Sequence, residues 1–357
     1  MQIILGAGLA LLLAGCASAP SLPYAEDMPP TVLVTPEQAG VRDLRPAYRA
    51  ALCARLPADR RCDDVLLRFP GEAAAPTTVA LPVAVPGNAS KRYRIAFVPG
   101  LLADCVAKWL VPFSDAAEAL RADGFDVYLM QIAGRADTEH NAALLAQQVA
   151  ALPDDGRRLI VFGYSKGLPD VLDLLLRHPP SRARIAAVVS YAGASGGSPL
   201  ADPYRGLYAN VLAGLPMDGC AKGTGAELDT LRRSVRLDWW QAHAAELKAT
   251  GVPFFSLVGA PRPEQVSPVL RLTHTELSRM DPRNDSQLLA SDAVVPGGAL
   301  LGYVNADHWA IAMPLLQRFP SLYGLFTDDV PRPALVAAAV EVVVQTLGAA
   351  PAAAPKP

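Results

Sequence analysis

Apolar positions along the chain fall into two alternating kinds of segment. Short, nearly continuous apolar runs occur at 94–98 (RIAFV), 125–132, 159–162 (LIVF), 185–190, 254–258 and 300–304. Runs of this length between Gly, Pro or polar residues read as strands buried on both faces, as in a parallel sheet. Between them, apolar residues recur three and four positions apart, the period of a helix with one buried face. That spacing predicts helices at 113–122, with Ser114 as cap, and at 137–152, 168–176 and 334–347. Pro169 falls in the first turn of the third helix, where its missing N–H does no harm. Earlier in the chain, 64–69 and 77–85 are separated by Pro70, Gly71 and Pro76 and read as an antiparallel pair. Strands alternating with helices predict an α/β fold, a mostly parallel central sheet flanked by helices on both faces.

The N-terminus carries a different pattern. Residues 3–15 (IILGAGLALLLAG) hold no charge and are too few to span a bilayer, which takes roughly 20 apolar residues. They fit the apolar core of a secretory signal. The run closes on Leu13-Ala14-Gly15-Cys16, which resembles a bacterial lipobox. That resemblance implies cleavage before Cys16, lipidation of its thiol and anchoring to the membrane without spanning it. Ala17, where an Asp would signal retention in the inner membrane, implies the outer membrane of a bacterial cell envelope, on its periplasmic or surface side. The expected organisation is a signal peptide at 1–15, a Pro- and Ala-rich tether and N-terminal extension at 16–45, one domain at 46–347, and a disordered tail at 348–357.

Composition narrows the function classes. Of 357 residues, 51% are hydrophobic, too many for a disordered chain. The net charge of −2 argues against nucleic acid as a partner, since non-specific binding there needs a basic surface. Cys and His show no metal-ligand spacing, so neither a metal nor another cofactor is expected.

Most of the chemistry sits in one motif. Gly163-Tyr164-Ser165-Lys166-Gly167 fits G-x-S-x-G between a predicted strand and a predicted helix, the setting of a nucleophile elbow. A Cβ at Gly163 or Gly167 would crowd the neighbouring strand or helix. Ser165 is the candidate nucleophile, held at a helix N-terminus where developing negative charge is favoured. Among five histidines (His140, His178, His243, His274 and His308), only His308 lies just past the end of a late strand, the sheet edge where ligands bind. The acid should fall between Ser and His in the chain. Asp285 is favoured and Asp292 competes; Asp307, next to His308, should point away from the ring. Lys166 reads as a solvent-facing residue of the turn.

With these residues in place, the sequence resembles an α/β-hydrolase of the serine esterase/lipase type over about 64–347. Asn284-Asp285-Ser286 is similar to the family's Asn-Asp-Gly acid segment, with Ser for Gly, and Asp292–Pro296 is similar to its Asp-x-x-Val-Pro alternative. The family's His-Gly-x oxyanion loop reads Pro99-Gly100-Leu101 here, so the resemblance implies an oxyanion hole from the N–H groups of Leu101 and Lys166. It also places a lid insertion at about 192–250, where Leu207, Tyr208, Val211, Leu212, Leu215, Met217 and the Trp239-Trp240 pair would form an apolar acyl-binding cover, unless the two Trp simply pack the insertion onto the core. The expected function is hydrolysis of small-molecule or lipid carboxylic esters through an acyl-enzyme. An acyltransferase using the same triad, or a non-catalytic lipoprotein on this scaffold, are the alternatives. With Cys16 lipidated, Cys53 pairs with Cys62 by proximity, leaving Cys105 with Cys220 as the second bridge in a disulfide-permissive compartment.

Overall fold

Alternation of side chains along each strand sets the layering. In β5 (Arg158–Ser165), Ile160, Phe162 and Tyr164 enter one buried cluster while Leu159 and Val161 enter another on the opposite face. In β3 (Tyr93–Val98), Ile95 and Phe97 divide from Ala96 and Val98 in the same way. Both sheet faces must therefore be covered, and helices cover them. The computed structural model describes residues 40–68, 88–207 and 219–349, all within one compact unit, Leu33–Pro357. The signal, the lipobox, the strand predicted at 77–85 and the tail from 350 lie outside the described residues.

The remaining strands are β1 (Arg42–Asp43), β2 (Leu66–Leu67), β4 (Val127–Leu129), β6 (Ile185–Gly193), β7 (Phe254–Gly259) and β8 (Ala299–Val304). They build an eight-stranded sheet in the order β1-β8-β7-β6-β5-β3-β4, with β2 added antiparallel to β8 and every other pairing parallel. β1 starts the sheet at Arg42, ahead of the expected domain boundary at 45/46; two residues carry no readable periodicity. The strand predicted at 125–132 shortens to β4, with the Met130 N–H still donating to the Phe97 carbonyl of β3 at 2.9 Å.

On one face pack α1 (Arg45–Cys53), α2 (Ser114–Ala122) and the C-terminal helix Arg332–Ala349. That last helix is long and apolar enough to cross a membrane, but Leu335, Val336, Ala339, Val343 and Val344 are buried against this face. α2 begins at Ser114, with Phe113 in a left-handed conformation before it, so Ser114 is not the cap. On the other face pack α3 (Thr138–Ala151), α4 (Gly167–Arg177) and α5 (Arg233–Ala249). Asp137 caps α3 through the His140 N–H at 2.8 Å.

α5 changes the reading of the insertion between β6 and β7. Its length had suggested a lid, yet its second half is the crossover helix that a parallel β6–β7 pair requires. Trp239 and Trp240 lie against the buried cluster beneath α4. Their Nε1 groups donate to Asp173 Oδ1 at 3.0 Å and to the Ser195 carbonyl at 2.9 Å. Of the two roles open to this pair, the structure gives them packing of the insertion onto the core. Residues 208–218, with Val211, Leu212, Leu215 and Met217, fall outside the described residues.

Both expected disulfides are present, Cys53–Cys62 and Cys105–Cys220, with Cα atoms 5.5 and 4.8 Å apart. They close loops of very different length, with sequence separations of 9 and 115. Loop-closure entropy gives about 2.5 kcal/mol for the short bridge and about 5 kcal/mol for the long one. The Cys105→Ser/Cys220→Ser variant is therefore expected to lose more stability than Cys53→Ser/Cys62→Ser when urea midpoints are compared without reductant. Equal losses would contradict this, as would peptide mapping that finds Cys105 free.

Candidate active site

β5 runs almost directly into α4, and Ser165 occupies the turn with φ 53°. A left-handed backbone is disfavoured for any residue with a Cβ, so the surroundings must impose it. They do so by close approach. A Cβ on Gly163 would lie 2.8 Å from Leu168 Cα, and one on Gly167 would lie 2.4 and 2.5 Å from the Pro99 and Val98 carbonyl oxygens. These are backbone contacts that no side-chain rotation relieves. Gly100 approaches from the third side, 2.7 Å from Ser165 Cβ by the same measure. The turn leaves Ser165 half-buried, at the N-terminus of α4.

His308 follows β8 and brings its Nε2 to 2.9 Å from Ser165 Oγ. Its Nδ1 lies 2.7 Å from Asp285 Oδ2. Each partner is fixed in turn. Asp285 Oδ1 accepts the N–H groups of Gln287 and Leu288 at 2.9 and 2.7 Å, leaving Oδ2 for the imidazole. The His308 N–H donates to the Asp285 carbonyl at 2.8 Å, and the Tyr164 hydroxyl donates to the His308 carbonyl at 2.7 Å. The Tyr164 ring also stacks on the imidazole at 5.1 Å. Burial, followed by the carboxylates of Asp285 and Asp307, pushes the Tyr164 hydroxyl well up, so it remains a donor. Tyr164 occupies an unconstrained position of G-x-S-x-G, so the motif gave no signal for this role.

The competing acids are accounted for. Asp292 is bound by Arg233, whose Nε lies 3.1 Å from Oδ2, and its carbonyl accepts the Gly196 N–H at 2.7 Å. It ties the β6–β7 insertion down and does not bond His308. Asp307 turns away as expected, its Oδ1 accepting the Trp309 and Ala310 N–H groups and its Oδ2 that of Ser267. Ser286 has φ 80°, a conformation that costs a residue with a side chain roughly 1–2 kcal/mol. That explains why the similar family segment carries Gly there. Asn284 Oδ1 compensates by accepting the Ser286 N–H at 3.0 Å. Gly259 makes room for the acid turn, since a Cβ there would lie 2.9 Å from Asp285 Cβ. Of the described histidines, only His308 hydrogen-bonds Ser165.

Lys166 corrects the sequence reading. It is fully buried, not solvent-facing, and its Nζ lies 2.7 Å from Asp170 Oδ1 one turn along α4. Burial pushes the Asp170 carboxyl up to about 6 against the opposing pull of Lys166, Asn141 holding the other oxygen at 2.9 Å. G-x-S-x-G leaves this position open, and a Lys beside a turn reads as surface unless its acid partner at i+4 is noticed. The Pro99-Gly100-Leu101 loop runs beside the elbow, as the contact of Gly100 with Ser165 requires. Lys166 directly follows Ser165 at the start of α4, and Leu101 directly follows Gly100 in the loop. An apolar cavity lined by Phe97, Pro99, Ala103, Leu110, Phe113 and Met130 opens beneath this loop. The one described cluster with potential metal ligands, Asp104, Cys105 and Cys220, has both of its sulfurs in a disulfide.

The chain is similar to the metagenomic carboxyl esterase MGS0156, 37% identical, with 92% of this chain and 100% of that chain covered and a TM-score of 0.78. The chain belongs to the esterase/lipase family of α/β-hydrolases. The Bacillus licheniformis lipase BlEst2 shares the fold at 22% identity in its mature form, with 61% of this chain and 85% of that chain covered and a TM-score of 0.50. Its propeptide form matches at 19% identity, with 73% and 52% covered and a TM-score of 0.55. No family model and no curated protein matches the chain. Within this α/β-hydrolase, Ser165, Asp285 and His308 follow one another in the family's Ser, acid, His order along the sequence.

The two candidate acids separate by substitution. Burial raises the Asp292 carboxyl to about 6, above its value in an unfolded chain, so the folded state holds that proton more tightly. This contribution favours folding at low pH and is lost as pH rises through about 6. Relative to wild type, Asp292→Asn should therefore gain stability between pH 4 and 7, on the order of 2–3 kcal/mol in urea denaturation, with kcat within about threefold. Asp285→Asn should instead lower kcat on the order of 10⁴-fold. Equal kinetic losses in the two variants would contradict the assignment.

Proposed function

We propose that this α/β-hydrolase is a serine hydrolase of carboxylic esters, acting through Ser165, His308 and Asp285. The observation that carries the reading is the pair of contacts at His308, 2.9 Å to Ser165 Oγ and 2.7 Å to Asp285 Oδ2, on an elbow with positive φ. His308 Nε2 takes the Ser165 proton as Oγ attacks the ester carbonyl, and Asp285 stabilises the imidazolium that forms. The carbonyl oxygen becomes an oxyanion held by the Leu101 and Lys166 N–H groups. His308 then gives its proton to the departing alcohol, leaving an acyl-Ser165 ester. Water, deprotonated by His308, attacks that ester, and the proton returns to Ser165 as the acid leaves. The carboxyl esterase name of the 37%-identical relative supports this substrate class.

We further propose that the chain is lipid-anchored through Cys16 in a bacterial envelope, on the strength of Leu13-Ala14-Gly15-Cys16. Cys105–Cys220 would tie the expected lid insertion to the short helix Ala103–Val106 that follows the Pro99-Gly100-Leu101 loop.

A p-nitrophenyl ester series of increasing acyl length tests the catalytic reading. Wild type should hydrolyse the short esters, and folded Ser165→Ala should lose on the order of 10⁴–10⁶ in kcat. Activity that survives in folded Ser165→Ala would refute the reading, and product partition with a competing alcohol separates hydrolysis from acyl transfer.

A further inference from the structure

The two proposed oxyanion donors lie on different segments, and nothing in the triad itself fixes the distance between them. A continuous chain of polar contacts, buried at its middle, does. It starts at Lys166, whose Nζ meets Asp170 Oδ1 at 2.7 Å. Asn141 Nδ2, on α3, donates to Asp170 Oδ2 at 2.9 Å. The same Asn141 amide clamps Ala133 on both sides, donating to its carbonyl at 3.1 Å and accepting its N–H through Oδ1 at 3.0 Å. The next residue, Gly134, accepts the Leu102 N–H at 3.0 Å and donates to Asp104 Oδ1 at 2.9 Å. Leu102 has φ 61° and directly follows Leu101. The fit at the far end is tight, since a Cβ on Gly134 would lie 2.8 Å from the Leu102 carbonyl carbon and 2.4 Å from Asp104 Oδ1.

The middle of this chain is sealed from solvent, with Lys166, Asp170 and Asn141 each 0% exposed. Stability alone does not call for such an arrangement, because well-packed apolar residues commonly replace a buried ion pair without loss. What the ion pair and amide provide that apolar groups cannot is direction. The side-chain contacts of Lys166 and Asn141 with Asp170 tie α4 to α3, and the backbone groups of Ala133, Gly134 and Leu102 carry the link on to the residue after the loop donor. Asn141 and Asp170 touch none of Ser165, His308 or Asp285 through these contacts.

The geometry points to Asn141 and Asp170 as positioning residues that set the separation of the Lys166 and Leu101 N–H groups around the oxyanion. This rests on the ester-hydrolase reading and adds to it a role for residues outside the motif. Such residues should matter in the transition state, where the oxyanion exists, and little in the bound substrate.

The test compares wild type with Asn141→Leu, of the same branching and heavy-atom number, using a short p-nitrophenyl ester and an arylboronic acid. The boronic acid adds to Ser165 Oγ to give a tetrahedral adduct whose oxygen occupies the oxyanion position. In Asn141→Leu, kcat should fall roughly 10²-fold with KM within about threefold, and boronic acid affinity should weaken by a similar factor. If Asn141→Leu does not fold, Asp170→Asn, of the same shape, carries the same comparison with a smaller expected loss. The inference is overturned if the folded variant matches wild type in both measures. It is equally overturned if kcat falls while boronic acid affinity holds, or if only KM rises. Failure of the underlying reading looks different: Ser165→Ala would stay active and the boronic acid would not inhibit wild type.

Discussion

Close backbone approach at the end of β5 is the constraint on which the rest of the site depends. Ser165 can hold φ 53° only because strand and helix meet with nothing between them, and the missing Cβ atoms of Gly163 and Gly167 permit that meeting. The parallel sheet supplies the force. β5 is flanked by β3 and β6, and its side chains enter buried clusters on both faces, so the strand cannot shift to relax the turn. The strain is localised, and its product is a hydroxyl aimed out of the sheet edge where His308 can reach it.

Asp285 and His308 are then placed by turns that bond to each other more than to the sheet. Asp285 and His308 exchange a backbone hydrogen bond and a side-chain one, and Tyr164 from the elbow holds the carbonyl of His308. Each side chain keeps one free atom for the next: Asp285 Oδ2 for Nδ1, and Nε2 for Ser165. Preorganisation of this kind removes the reorganisation cost at the moment charge develops.

Much of this was legible in the sequence, for identifiable reasons. Apolar runs bounded by turn residues marked the central strands, because a sheet buried on both faces tolerates little else. G-x-S-x-G in its strand-to-helix setting marked Ser165, and position after the last strand marked His308. What the sequence hid was direction. Asp285 and Asp292 each sit in a segment similar to a family acid motif, and only the fold shows that Arg233 occupies the second. Lys166 read as surface, because a buried cation becomes legible only through its partners Asp170 and, beyond it, Asn141, which lies on another helix. The crossover helix α5 was folded into an expected lid because its charged, Trp-bearing sequence shows little one-faced periodicity. β1 was too short to carry any period, and of the strand expected at 64–69 only Leu66–Leu67 is β2.

Reaction of Ser165 with a fluorophosphonate tests the central claim most directly, because the reagent needs an activated serine but no particular substrate. In wild type the adduct should map by peptide mass to Ser165 alone, and folded His308→Ala should label at a rate lower by at least about a thousandfold. Equal labelling of the His308 variant, or an adduct on another serine, would contradict the account.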